Sequence, residues 1–165
     1  MWRDRLKKFF ELAPAQRALL VRTFALVGIV RTALWVAPFP LVRRVTNRWA
    51  RLRPDASPSP SQASEQLADV TQAVTRASRF VPRATCLTQA LATRILLARR
   101  GIASIVRYGA ARGADGKFLA HAWVESEGRV VIGGVTSPNR YAPFPAFDTA
   151  AENDASRREL VALES

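Results

Sequence analysis

The chain has 165 residues, 48% of them hydrophobic, and a net charge of +12. A chain of this length can bury one core, which favours a single folded domain over a multidomain protein. Its single cysteine excludes an internal disulfide and is typical of a protein from a reducing compartment.

The N-terminal third is basic and has the pattern of helices. Residues 1–53 hold twelve basic and two acidic residues, so this segment carries +10 of the total charge. Apolar spacing and proline placement predict helices over Trp2–Leu12, from Pro14 to about Val36, and from Pro40 onward. The first residues are charged and lack a cleavage site after a short apolar run, which favours a cytoplasmic location.

Residues 18–42 are apolar enough to raise the question of a membrane span. Arg22 and Arg31 interrupt the segment, and each costs about 2.5 to 3.5 kcal/mol at the centre of a membrane helix. Because they lie on opposite sides of a helix, we expect neither a span nor a continuous lipid-facing stripe.

The charge of this segment has two open interpretations. It is either a solvated outer face above a packed apolar face, or a contact surface for anionic lipid, nucleic acid or an acidic polypeptide. Nucleic acid is not expected, because no recognition motif accompanies the charge.

A proline- and serine-rich stretch, "RPDASPSPSQAS" at Arg53–Ser64, predicts an exposed linker. Ser64 is then predicted to cap a helix with apolar residues at helical spacing that ends near Phe80. We therefore divide the chain into a basic helical segment (1–53), a linker (54–64), a core (65–148) and a polar tail (149–165).

The next predicted helix, "ATCLTQALATRILLARRG", carries the only cysteine. Thr85 is the expected N-cap, Cys86 lies in the first turn, and Gly101 ends the helix. A helix N-terminus stabilises a thiolate, the reactive form of cysteine, and its N–H groups can bind an oxyanion. A lone cysteine can equally be a buried packing residue.

The only histidine lies on one of three predicted strands, Ser104–Tyr108, Phe118–Glu125 and Arg129–Ile132, the last two joined by a turn at Ser126–Gly128. Strand alternation places His121 on the same face as Trp123 and Glu125. Such a histidine is either structural or the base of a cysteine nucleophile.

Together, "CLTQALATRILLARRGI" and "FLAHAWVESEGRVVIGG" resemble the peptidase component (the B protein) of lasso-peptide biosynthesis, within the transglutaminase-like, papain-related superfamily. The resemblance covers Pro82 to about Phe147. It implies an α+β fold in which N-terminal helices precede a transglutaminase/papain-like core, with the cysteine helix packed on a small antiparallel sheet.

The resemblance also implies an activity, removal of the leader from a precursor peptide, with Cys86 as nucleophile and His121 as general base and then acid. The expected partners are the precursor, a separate leader-recognition protein and an asparagine-synthetase-like enzyme that closes the macrolactam. A transglutaminase-like acyl transferase using the same pair and a non-catalytic basic adaptor for peptide or membrane surfaces stay open as alternatives.

The third catalytic residue departs from the family pattern. An aspartate is expected about twelve residues after the histidine, where this chain has Gly133. Pairing Glu125 with Arg129 in the hairpin also places Gly133 opposite His121. The substitutes that we consider are Asn139, a backbone carbonyl, Glu125 and the more distant Asp148.

Two further residues could contribute to a site, and no cofactor is expected. Trp123 is either a core residue, part of the wall of a cleft or a substrate contact. Gln89, one turn after Cys86, is either a helix-packing residue or an aid to oxyanion binding. One histidine and one cysteine are too few for a usual zinc site.

Overall fold

A computed structural model describes residues 13–51, 58–112, 116–133 and 141–143. The predicted helix Trp2–Leu12, the tail 149–165, Asn139 and Asp148 lie outside these ranges.

The described part of the basic segment, residues 13–51, contains two helices, which begin at or next to the predicted proline positions. Helix α1 spans Pro14–Val36 and helix α2 spans Phe39–Arg51. Pro14 occupies the first turn of α1, where its missing N–H costs nothing. The buried side of α1, formed by Thr23, Val27 and Val30, packs against two later helices.

The expectation that α1 lacks an apolar outer stripe is wrong. Val21, Ile29, Trp35 and Val36 are all exposed on its outer side, and α1 is long and apolar enough by composition to cross a membrane. Buried core helices pass the same length and composition test. The two arginines do lie on opposite sides of the helix, but they flank the stripe instead of breaking it.

Helix α3 spans Pro60–Ser78 and begins earlier than predicted. Its N-cap is Ser59, not Ser64: the Gln62 N–H donates to Ser59 Oγ, and the Gln62 side chain accepts from the Ser59 N–H. Together with Pro60 in the first turn, this capping box specifies the start more strongly than an isolated serine. The last residues of the predicted linker are therefore helical.

Helix α4, Cys86–Ala98, is the central element. Nine of its 13 residues are buried, because it packs against α1, α2 and α3 on some sides and against the sheet on another. Its predicted end is confirmed: the N–H groups of Gly101 and Ile102 donate to the carbonyls of Ala98 and Leu97, a Schellman motif that requires positive φ at Gly101 (74°).

Within the described residues, four strands form one antiparallel sheet in the order β3-β2-β1-β4. Strand β1 spans Ile105–Arg112, β2 spans Phe118–Ser126, β3 spans Arg129–Ile132, and β4 is the short pair Ala142–Pro143. The three predicted strands are thus confirmed, with β1 extending further than expected.

The predicted register of the β2–β3 hairpin is wrong by one residue. Ser126 pairs with Arg129, because the turn consists of Glu127 and Gly128 alone, with positive φ at both (51° and 72°). This is the two-residue type I′ geometry, which matches the twist of the strands. A bulge then shifts the register again, so that Val124 pairs with Ile132.

The result is an α+β fold with one hydrophobic core between the helices and one face of the sheet. The helices of the basic segment contribute to that same core instead of forming a separate layer. Its buried members come from all four described helices and from three strands, and they include Val27, Val30, Val42, Val70, Val74, Leu91, Leu97, Val106, Ala122, Val124 and Ile132.

Candidate active site

Cys86 is the first residue of α4, as predicted, and it is half-buried against the core. Thr85 caps the helix, because its Oγ1 accepts a hydrogen bond from the Thr88 N–H (3.4 Å). The Gln89 N–H donates to the Thr85 carbonyl (3.1 Å). These bonds leave the N–H groups of Cys86 and Leu87 at the helix start to serve as donors for an oxyanion.

His121 lies in β2 and is held by a main-chain group. Its Nε2 is 2.7 Å from the carbonyl oxygen of Gly133. Because a carbonyl oxygen only accepts, Nε2 carries the hydrogen of this bond, and in the neutral ring Nδ1 then carries the lone pair. The bond therefore sets both the orientation of the ring and the nitrogen that can act as a base.

Gly133 occupies the position where the sequence resemblance implies an aspartate, and a side chain does not fit there. Its φ is +76°, and a Cβ would lie 2.7 Å from the Ala122 oxygen and 3.0 Å from the Trp123 Cα. A residue other than glycine would have to move the strand end. The backbone carbonyl, one of the substitutes considered from the sequence, is thus the group that contacts His121.

The other orienting candidate within the described residues is Glu125, and its oxygens have different partners. Trp123 Nε1 donates to Oε1 of Glu125 (2.7 Å), and Arg107 Nε donates to Oε2 (3.1 Å). Glu125 therefore positions Trp123 and does not contact His121. Asn139 and Asp148 lie outside the described residues, so a role for Asn139 stays a prediction.

Two aromatic rings flank the imidazole. The buried Trp123 stacks on His121 with ring centroids 6.1 Å apart and planes 18° apart. Tyr141 lies on the ring with centroids 5.0 Å apart. Gly109 of β1 pairs with His121 of β2 on one side and with Pro143 of β4 on the other. Because Gly109 has no side chain, it does not separate Tyr141 from the imidazole.

Sequence reasoning missed Tyr141. It lies twenty residues after His121 in a stretch without a strand pattern, and it comes close only because β4 pairs with β1 next to β2. Gln89 is half-buried on α4. The contacts of Gln89 and Trp123 within the described residues do not indicate which substrate they would bind.

The structure packs α4 against β2, and so brings together the elements that carry Cys86 and His121. Ala122 and Val124 make the core contacts, whereas His121 alternates to the side of Trp123. Among the hydrogen bonds of the described residues, none joins Cys86 Sγ to His121. By alternation, the imidazole therefore lies on the side of β2 away from the core contacts with α4.

The described ranges contain no group of three or more His, Cys, Asp or Glu side chains that could hold a metal ion. What the site offers is a thiol at a helix start, N–H donors beside it, and an oriented imidazole on the adjacent strand. These are the parts of a cysteine nucleophile with a histidine base.

Comparison with known protein families matches residues 33–146 to the transglutaminase-like superfamily. The match begins within α1 and includes Cys86, His121 and Gly133. Searches of curated proteins and of solved structures gave no significant match. The matched segment covers more than half of the chain, and the protein belongs to the transglutaminase-like superfamily.

Proposed function

We propose that the protein is a cysteine peptidase that removes the leader from a lasso-peptide precursor, with Cys86 as nucleophile and His121 as base. The observation that carries the proposal is the hydrogen bond from His121 Nε2 to the Gly133 carbonyl (2.7 Å), which reserves Nδ1 for proton exchange. The position of Cys86 at the start of α4 supports it.

In the proposed reaction, Nδ1 of His121 takes the thiol proton and the Cys86 sulfur attacks the carbonyl carbon of the scissile amide. The N–H groups of Cys86 and Leu87 hold the oxyanion of the tetrahedral intermediate. His121 then protonates the leaving amine, which departs as the new N-terminus of the core peptide. Water, activated by the neutral imidazole, hydrolyses the thioester and releases the leader carboxylate.

Two further observations support peptide cleavage. The transglutaminase-like domain is typically a cysteine-dependent enzyme fold, and the superfamily includes both peptidases and acyl transferases. The sequence around Cys86 and His121 resembles the lasso-peptide B protein, whose reaction frees the amine that a separate synthetase condenses into the macrolactam. A separate leader-recognition protein is the proposed means of delivering the precursor.

The test is incubation of the full chain with a lasso precursor peptide and its leader-recognition protein, followed by mass spectrometry. We expect two fragments whose masses sum to the precursor plus one water, and no cleavage by Cys86→Ala or His121→Ala. The control variant is Phe118→Ser, which changes an exposed side chain on the same strand as His121 and should keep cleaving the precursor. Each variant is also checked for retained folding.

The same experiment separates the alternatives. With putrescine added, an acyl transferase would give a leader fragment carrying the amine in place of water. If the precursor stays intact with wild-type protein but binds it, the protein is an adaptor and the proposal is wrong.

A further inference from the structure

The outer side of α1 carries large apolar side chains with no partner in the described parts of the chain. Trp35 is 80% exposed, Ile29 60% and Val21 58%. With about 100° between successive residues, Val21, Ala25, Gly28, Thr32 and Val36 run along one line, and Ile29 and Trp35 lie beside it. We call this set the α1 stripe.

Exposed apolar residues continue along the chain from α1 into α2, at the junction that we call the α1–α2 corner. Pro38, Pro40 and Leu41 are exposed immediately after Val36, so the junction of the two helices presents apolar side chains to solvent. On α2 the apolar line of Leu41, Val45 and Trp49 is also exposed. An apolar surface of this extent is unusual on a protein without an interaction partner.

Positive charge surrounds this apolar surface. Residues 13–51 contain seven arginines and no acidic residue. Arg22 and Arg31 flank the α1 stripe on its two sides. On α2, an open cleft is lined by Pro40, Arg43, Arg44, Asn47 and Arg48.

We propose that the α1 stripe and the α1–α2 corner bind the surface of an anionic membrane, with apolar side chains in the acyl region and arginines at lipid phosphates. Aromatic and aliphatic residues on one side of a helix, bordered by cations, are the combination that interfacial helices use. The guanidinium groups of Arg44 and Arg48 in the α2 cleft suit a phosphate headgroup.

The packing of α1 favours a position at the membrane surface over one that crosses the membrane. Thr23 and Val27 are fully buried, and Val30 nearly so, against α3 and α4, and α3 is a polar helix. Crossing a bilayer would pull this side of α1 out of the core. A helix that keeps its inner side on the protein can insert only its outer side.

The same charges argue against other occupants. A second copy of this chain would bring a second arginine border against the first, which is unfavourable. Nucleic acid would satisfy the arginines but leave the α1 stripe in water. Membrane binding would hold whether or not Cys86 is a nucleophile.

The test is co-sedimentation of the full chain with vesicles of phosphatidylcholine alone, or of phosphatidylcholine mixed with phosphatidylglycerol. We expect binding to the anionic vesicles, at least about tenfold weaker binding to the neutral ones, and weaker binding in high salt. Ile29→Ser/Trp35→Ser and Arg22→Glu/Arg31→Glu should each reduce binding by about tenfold or more.

Matched controls come from strands β1 and β2, outside the proposed surface. Phe118 is 75% exposed and lies under the Arg112 guanidinium (5.4 Å). Phe118→Ser and Arg112→Glu make the same chemical changes away from the proposed surface and should keep wild-type vesicle binding. Circular dichroism checks that every variant is folded.

A second measurement does not depend on the double variants. Brominated lipid should quench the tryptophan fluorescence of wild-type protein, and Trp35→Phe should lose a large part of that quenching. Equal sedimentation with neutral and anionic vesicles, or unchanged quenching in Trp35→Phe, would overturn the proposal. So would self-association without lipid that Ile29→Ser/Trp35→Ser abolishes, because the surface would then be a dimer interface.

Discussion

The Nε2 atom of His121 donates a 2.7 Å hydrogen bond to the main-chain carbonyl of Gly133, the position where the sequence resemblance implies an aspartate. A carbonyl can orient the imidazole, but it lacks the negative charge that stabilises an imidazolium ion. The proposed enzyme is therefore a Cys–His pair with a backbone orienter, and we expect it to be slower than a relative with the carboxylate.

Replacing Gly133 by alanine or aspartate should harm the protein instead of restoring a triad. The positive φ and the close Ala122 oxygen predict a loss of about 2 kcal/mol or more in the free energy of unfolding, and slower cleavage. Gly128→Ala is the matched control, since Gly128 has φ +72° and open space around it. Urea unfolding and the cleavage assay measure both effects. A faster, equally stable Gly133→Asp would contradict this account.

The reactivity of Cys86 should depend on His121. Because Cys86 is the only cysteine, iodoacetamide labels a single site. We expect His121→Ala to slow labelling at pH 6 by at least about tenfold, towards the rate of the urea-unfolded chain. Equal, slow labelling of folded wild type and variant would show that no thiolate–imidazole pair forms.

Tyr141 should support His121 through its ring and not its hydroxyl. The ring centroids are 5.0 Å apart, so removing the ring loses a contact of about 1 kcal/mol and loosens the imidazole. Tyr141→Ala should lower kcat about tenfold, whereas Tyr141→Phe should stay near wild type. The opposite ranking would assign the function to the hydroxyl group.

Glu125 should contribute to stability through Trp123. Glu125→Ala removes the acceptor of the Trp123 Nε1 bond and the Arg107 ion pair, for an expected loss of about 1 to 2 kcal/mol. Glu125→Gln keeps an acceptor for the indole and loses only a partly exposed ion pair, about 0.5 kcal/mol. Equal losses in both variants, measured by urea unfolding, would mean that the charge matters more than the indole bond.

The start of α3 provides a test on two serines of the same helix. Ser59→Ala should reduce the free energy of unfolding by about 1 kcal/mol, because it removes the acceptor for the Gln62 N–H. Ser64→Ala should leave stability nearly unchanged or raise it slightly, since Ser64 is exposed within the helix. The reverse result would place the cap where the sequence alone predicts it.

The sequence by itself determined the elements whose signals are local. Both ends of α4 are predicted from Thr85, Cys86 and Gly101, and the strands are predicted from the alternation of apolar and polar residues. These signals are local, because caps and strand faces depend on residues a few positions apart. The presence of one thiol at a helix start and one imidazole on a strand followed from the same local rules. The prediction of Ser64 as the cap of α3 was wrong, because Ser59 forms a capping box with Gln62 and is followed by Pro60 in the first turn.

Only the tertiary structure decided which distant groups meet. A two-residue turn and a bulge change the hairpin register, and they bring the Gly133 carbonyl, not a side chain, to His121. Tyr141 reaches the imidazole through strand pairing that no local pattern encodes. The exposed α1 stripe likewise appears only once packing shows which side of an apolar helix the core uses, because periodicity cannot tell a buried apolar side from an exposed one.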